Sequence, residues 1–154
     1  MADIEGNRKS IEANKARVRE FYDRSHAGDL AVYDELLSPS FVNYGGPAGE
    51  LHGPQAFKEA YMGFATAFSD FHTSIDLIIA EADLVAVYGV ATGTHDGPFM
   101  GLPPTGNTLR WTGMAIYGFD GDGLIDRRWQ EIDGLGLFGQ LGLLPPPPGA
   151  PPQQ

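Results

Sequence analysis

Arg127, Trp129, Glu131 and Asp133 recur at a spacing of two near the C-terminal end. In an extended strand that spacing puts them on one face, because successive side chains alternate sides. If Trp129 faces an apolar interior, both carboxylates face it too. Removal from water raises a carboxylate's pKa and makes it a better base near neutrality. Asp133 precedes Gly134 and also fits a turn or helix cap, while Glu131 also fits a solvated or arginine-paired position. His95 is a second acid–base group, in step with Val85, Val87, Gly89 and Ala91, a row that reads as inward-facing. There it can donate to a carbonyl or exchange a proton, or it can anchor the loop after it. Asn43, two residues after Phe41, offers an amide suited to orienting a carbonyl or a water, although Asn-Tyr-Gly-Gly is also ordinary turn chemistry. Tyr22, Phe41, Tyr61, Phe64, Trp111 and Trp129 supply flat apolar walls for a ligand, each also at home in a core.

Composition narrows the chemistry further. There are no cysteines, so thiolate nucleophiles, disulfides, Cys-ligated zinc and iron–sulfur clusters are all excluded. The net charge of −10, from 20 acidic and 10 basic residues, disfavours nucleic-acid and anionic-membrane partners. No P-loop, HExxH or GxSxG is present, nor a GxGxxG after a strand. His26, His52 and His72 show no ligand spacing with His95, so no metal is expected. Lys9, Lys15 and Lys58 fall on helix surfaces, which argues against Schiff-base chemistry. The apolar runs are too short to span a bilayer, and the first ten residues lack the order of a signal peptide. The expected compartment is the cytoplasm.

These residues need elements to hold them. Residues 1–8 are expected to be disordered, a single domain to run over 9–142, and a proline-rich tail to occupy 143–154 as extended polyproline. A helix from about Lys9 to Ala27 carries Ile11, Val18, Phe21 and Tyr22 on one stripe, with Gly28 as its C-cap. Asp29 caps a short second helix with Tyr33, Leu36 and Leu37 inward, and Pro39 stops it. Phe41–Tyr44 reads as a strand. Pro54 opens a helix with Phe57, Tyr61, Phe64 and Phe68 on one aromatic face. From Asp70 the period becomes two, predicting long strands over 71–80, 84–93, 108–119 and 124–133. Asp120-Gly-Asp-Gly123 is a strong hairpin signal. The Pro/Gly-rich segment from His95 to Asn107 is long enough for a functional loop, and 134–142 reads as a loose apolar turn of helix. Helices followed by an antiparallel meander imply an α+β fold: a curved sheet wrapped around N-terminal helices, leaving an open-mouthed cone.

Several segments resemble the SnoaL-like polyketide cyclases. Gly-Thr-His-Asp-Gly-Pro-Phe-Met-Gly-Leu-Pro-Pro-Thr-Gly (93–106) looks like their GTH-x-G-x-F-x-G-x-PPTG segment. Phe68-Ser-Asp-Phe-His72, Trp-Thr-Gly (111–113) and Ile-Tyr-Gly-Phe-Asp-Gly-Asp-Gly-Leu-Ile (116–125) continue the likeness. Trp129-x-x-x-Asp133 followed by Leu-Gly-Leu-Phe-Gly-Gln-Leu-Gly (135–142) resembles their C-terminal signature. The resemblance implies the cone of nuclear-transport-factor-two-like (cystatin-like) proteins, shared with ketosteroid isomerase, scytalone dehydratase and limonene epoxide hydrolase. It implies a cofactor-free enzyme that closes rings by intramolecular aldol condensation of a small hydrophobic carbonyl compound, polycyclic ones included. Asp133 would match the cyclases' last-strand aspartate, with His95 or Asn43 steadying the enolate oxygen. The cyclases tend to place polar groups on the strand before the hairpin. Here Trp111, Gly113, Ala115 and Tyr117 hold that face, and only Tyr117 could act. The alternatives are an epoxide hydrolase or isomerase using Arg127 or Glu131 in the same pocket, or a non-catalytic ligand-binding or dimerisation module. A homodimer or higher homo-oligomer through the sheet is the expected assembly.

Overall fold

The computed structural model of the chain describes residues 2–145. Val18, Phe21 and Tyr22 lie on the buried stripe of α1 (Ala2–His26). The helix closes where Gly28 takes a φ of +78°, its N–H reaching the Ser25 carbonyl at 3.0 Å, a left-handed step that glycine enters without strain. Residues 2–8, expected to be disordered, instead extend this helix. No proline interrupts them, and an exposed Lys9–Glu5 pair at 3.3 Å lies one turn apart along it. The tail lies, from residue 146 on, outside the described residues.

In α2 (Val32–Leu36), Val32, Tyr33 and Leu36 are buried. Asp29 does not act as the N-cap; Ala31 holds that position without a side-chain bond, and Asp29 instead pairs with Arg24 at 2.7 Å. Pro39 does not end the helix either, for Leu37 is already extended and begins β1 (Leu37–Gly45). Proline is tolerated there because the register of β1 breaks between Leu37 and Val42.

The rest of the chain forms β2 (Leu51–His52), α3 (Gly53–Ala67), β3 (His72–Glu81), β4 (Leu84–Thr94), β5 (Thr108–Phe119), β6 (Ile125–Ile132) and α4 (Gly134–Gln140). The expected aromatic helix and four long strands appear within one or two residues of their predicted bounds. The six strands run in the order β2-β1-β6-β5-β4-β3 as one curved sheet, with the N-terminal helices against it. Every neighbouring pair is antiparallel except β1 and β6, which are parallel. This is the α+β cone expected from the element order.

One irregularity governs the site. Between β5 and β6 the register slips, Gly118 facing Arg127 while Phe119 faces Ile125. Ile125 and Arg128, three residues apart, are both buried. A bulge thus reverses which side chains of β6 point inward. From there on Arg128, Gln130 and Ile132 face the interior, and Trp129 and Glu131 face out.

Two apolar clusters fill the cone. One joins Phe21, Tyr33, Leu37, Phe41, Val85 and Ile125. The other joins Phe68, Leu109, Trp111 and Leu137 beneath the 95–107 loop. Each fully buried side chain of this size contributes about 1.5–3 kcal/mol. Space is left where the clusters meet.

Candidate active site

That space is a cavity of about 450 Å³, within the range of small-molecule sites. Its walls are largely aromatic: Tyr61 and Phe64 from α3, Phe71, Trp111 from β5, and Phe99 from the 95–107 loop. Trp111 lies nearly parallel to Phe71 with centroids 5.9 Å apart. The cavity's polar side chains include Tyr22 and His26 of α1, Asn43 of β1, Tyr117 of β5, and Arg128 and Gln130 of β6. Among the described residues no Asp or Glu lines the cavity.

Arg128 is the centre of the polar wall. The residue is 5% exposed, and its guanidinium sits over the faces of Phe57 and Tyr117, at 5.2 and 5.5 Å. Its Nε donates to Tyr117 Oη at 3.1 Å, and its Nη1 to Asn43 Oδ1 at 2.8 Å and Gln130 Oε1 at 3.0 Å. Asn43 can accept because its amide nitrogen is committed elsewhere, donating to the carbonyls of Gly45 and Gly49 at 3.1 and 3.0 Å. Gly45, with a φ of +79°, makes that turn close. A Cβ there would lie 2.6 Å from the Gln130 carbonyl oxygen. Tyr117, having accepted from Arg128, donates to Tyr22 Oη at 3.0 Å. The hydroxyl hydrogen of Tyr22 is thereby left for the cavity. Burial, and next the neighbouring Tyr117, push the Tyr22 pKa well above 10, so it is a neutral donor throughout the physiological range.

One turn along α1, His26 lines the same cavity, its ring 5.8 Å from that of Tyr22. Edge contacts with Phe71 and a tilted contact with His72 at 4.7 Å complete its surroundings. Burial first, and His72 second, lower its pKa to about 4 against the pull of Asp23. His26 is therefore neutral and able to accept a proton at pH 7.

The structure brings together Tyr22, Asn43, Tyr61, Phe64, Trp111 and Tyr117 of the residues singled out in the sequence. It does not bring the others there. Trp129 is 40% exposed and stacks on Tyr44 at 5.7 Å on the outer sheet face, and Glu131 is exposed beside it. Asp133 lies beyond the strand and caps α4, its Oδ1 accepting from the Gly136 N–H at 2.9 Å. Phe41 is fully buried against Phe57 in the core. His95 is buried under Phe68, its Nδ1 3.1 Å from Thr105 Oγ1, and its backbone bonds Asn107 and Gly106. It anchors the loop rather than lining the cavity. Arg127 points outward to Asp83 at 2.5 Å and to Asp126 at 2.6 Å. Sequence reasoning missed His26, Gln130 and Arg128. The first was legible as the residue one turn after Tyr22. The other two needed the bulge.

A model of the SnoaL-like polyketide cyclase family matches residues 16–141. The chain belongs to that family. Among solved structures, this SnoaL-like protein is similar to AclR of Streptomyces galilaeus, a proposed hydroxylase, at 30% identity and a TM-score of 0.80 over 90% of this chain and 91% of that one. It is also similar to IdmH of Streptomyces antibioticus, a proposed polyketide cyclase, at 29% identity and a TM-score of 0.74, covering 84% and 98%. A SnoaL-like structure from Jannaschia sp. CCS1, 22% identical with a TM-score of 0.79 over 88% and 95%, shares the fold. No curated protein sequence matches the chain. No helix among the described residues is long and apolar enough to cross a membrane.

Two expectations follow from the placements. Asp133→Ala should cost about 1 kcal/mol of stability, the usual worth of a helix cap, with turnover within about twofold of wild type. Thermal melts and an activity assay check both. The depressed pKa of His26 means the fold prefers the neutral ring. Its contribution is complete above the unfolded value of 6.5 and is lost as pH falls towards 4. The melting temperature should drop between pH 7 and pH 5, and drop less in His26→Gln.

Proposed function

We propose that this SnoaL-like protein is a cofactor-free enzyme that enolises a small hydrophobic carbonyl compound and joins the resulting carbon nucleophile to a second carbonyl, an intramolecular aldol closure. The observation that carries this reading is the polarised chain from Arg128 through Tyr117 to the Tyr22 hydroxyl, which ends in an aromatic cavity beside a neutral imidazole. His26 removes the proton next to the carbonyl. Tyr22 donates to the carbonyl oxygen as negative charge develops there, and the buried cation behind it strengthens that bond in a low-dielectric site. The proton held by His26 then passes to the alkoxide formed at the second carbonyl. Asp133 has no part in these steps. A hydrolase reading built on Arg127 or Glu131 loses its charged partners, since both face outward. The open cavity speaks against a merely filled cone.

The reading is tested without knowing the natural substrate. Wild-type protein in deuterated water should accelerate deuterium uptake at the activated carbon of 2-tetralone, followed by NMR. No acceleration for this ketone or for an aromatic 1,3-diketone would reject the acid–base role and leave a binding module.

We also assign the outer sheet face to a homodimer. Tyr44, Trp129, Ile116, Ala86 and Ile79 follow one another across the sheet in register, and Ile79 and Leu77 are 70% and 64% exposed. An apolar stripe of this length needs a cover, and the same stripe on a second copy meets it across a two-fold axis. Ile116→Lys should halve the mass seen in light scattering while leaving the cavity's ligand binding intact. An unchanged mass would remove the sheet face from the interface.

A further inference from the structure

Resting on the same cavity but concerned with what fills it, we propose that the ligand brings its own negatively charged oxygen, a carboxylate or the ionised enol of a 1,3-dicarbonyl, and docks it on the Nη2 edge of Arg128. An arginine in a protein stays charged and carries five N–H donors. Three of them are used, all on neutral acceptors: Tyr117, Asn43 and Gln130. No well-formed hydrogen bond takes the two on Nη2 among the described residues, although the Tyr22 oxygen lies within reach of the guanidinium. That nitrogen is not among the sealed polar atoms lacking a partner, which are Ser25 Oγ and His95 Nε2. Because Arg128 lines the cavity, its Nη2 edge meets open space there.

The charge is unmatched as well. A chain with 20 acidic residues places none of them on this cavity, although its surface arginines Arg24 and Arg127 each hold two or more carboxylates. Burying a cation without an anion is costly, and a counter-charge inside the low-dielectric site recovers part of that cost. The geometry is set beforehand: Phe57 and Tyr117 hold the guanidinium plane, and Asn43 is locked by two loop carbonyls. Little ordering remains to be done on binding. A neutral ester leaves the charge unmatched, whereas an anion forms charge-assisted hydrogen bonds. The Tyr22 hydroxyl stays available for the reacting carbonyl, so the two donors divide recognition from chemistry.

Three probes decide the matter by fluorescence titration at pH 7: 2-naphthoate, its methyl ester, and 2-acetyl-1,3-indanedione, a 1,3-dicarbonyl ionised at that pH. The expected result is at least tenfold tighter binding of one or both anions than of the ester. Naphthoate leading identifies a carboxylate, and the dicarbonyl leading identifies an enolate. An ester that neither anion outbinds overturns the proposal. In Arg128→Met the preference should vanish while the ester still binds. Should that variant fail to fold, Asn43→Asp places a carboxylate against the guanidinium from within and should erase the preference equally. A preference that survives these changes puts the anion elsewhere and overturns the assignment. Anion preference without proton exchange on 2-tetralone would reject the catalytic reading and leave this one standing.

Discussion

Replacing Tyr22 by phenylalanine is expected to lower turnover by about 100-fold while leaving KM within a few-fold of wild type. Removing one preorganised donor to a developing oxyanion costs about 10²- to 10³-fold in other enzymes. Tyr22 is such a donor here, because it accepts from Tyr117 and has no other acceptor for its own hydrogen among the described residues. The ring and its packing survive the change, so the ground-state cavity keeps its shape. Tyr117 loses its acceptor, and a buried hydroxyl without a partner costs about 1–3 kcal/mol. Some loss of melting temperature therefore accompanies the kinetic effect. A purely structural Tyr22 would move stability and KM together and spare kcat, and steady-state kinetics on the folded variant separates the two cases.

His26→Ala should cost about 10²- to 10⁴-fold in turnover, the usual worth of a positioned general base. Truncating the ring leaves a void between Tyr22, Phe71 and His72. Added imidazole should enter that void and restore part of the rate, with the rescue growing as imidazole is deprotonated between pH 6 and pH 8. His26 titrates near pH 4, so the wild-type rate should be flat across that same range. A wild-type rate that rises through pH 6–8 would contradict a base already neutral there.

How much of this was legible in the sequence follows from how far each feature reaches along the chain. The aromatic face of α3 and the Asp120–Gly123 hairpin rest on neighbours a few residues apart, and both are where the pattern puts them. The parallel pairing of β1 with β6 joins residues more than eighty positions apart and leaves no periodic mark. Of the misplaced site residues, Arg127, Trp129 and Glu131 trace to the bulge in β6. Alternation counted from Trp129 assumes that a tryptophan on a central strand faces the core. Tyr44 gives it a stacking partner on the outside instead, and the slipped register turns Arg128 inward in place of Arg127. Asp133 was legible both ways, and Gly134 after it marked the helix cap that it turns out to be. His95 was also open between two roles, and its bond to Thr105 belongs to the loop.

The central claim is that proton transfer belongs to the wall formed by α1 and β6 and not to the aspartate at the end of the sheet. Deuterium uptake by 2-tetralone, measured side by side for wild type, Tyr22→Phe, His26→Ala and Asp133→Asn, tests it most directly. The account predicts rapid exchange with wild type and Asp133→Asn, and exchange near the uncatalysed rate with the other two. Loss of exchange in Asp133→Asn, with Tyr22→Phe and His26→Ala still active, would contradict it.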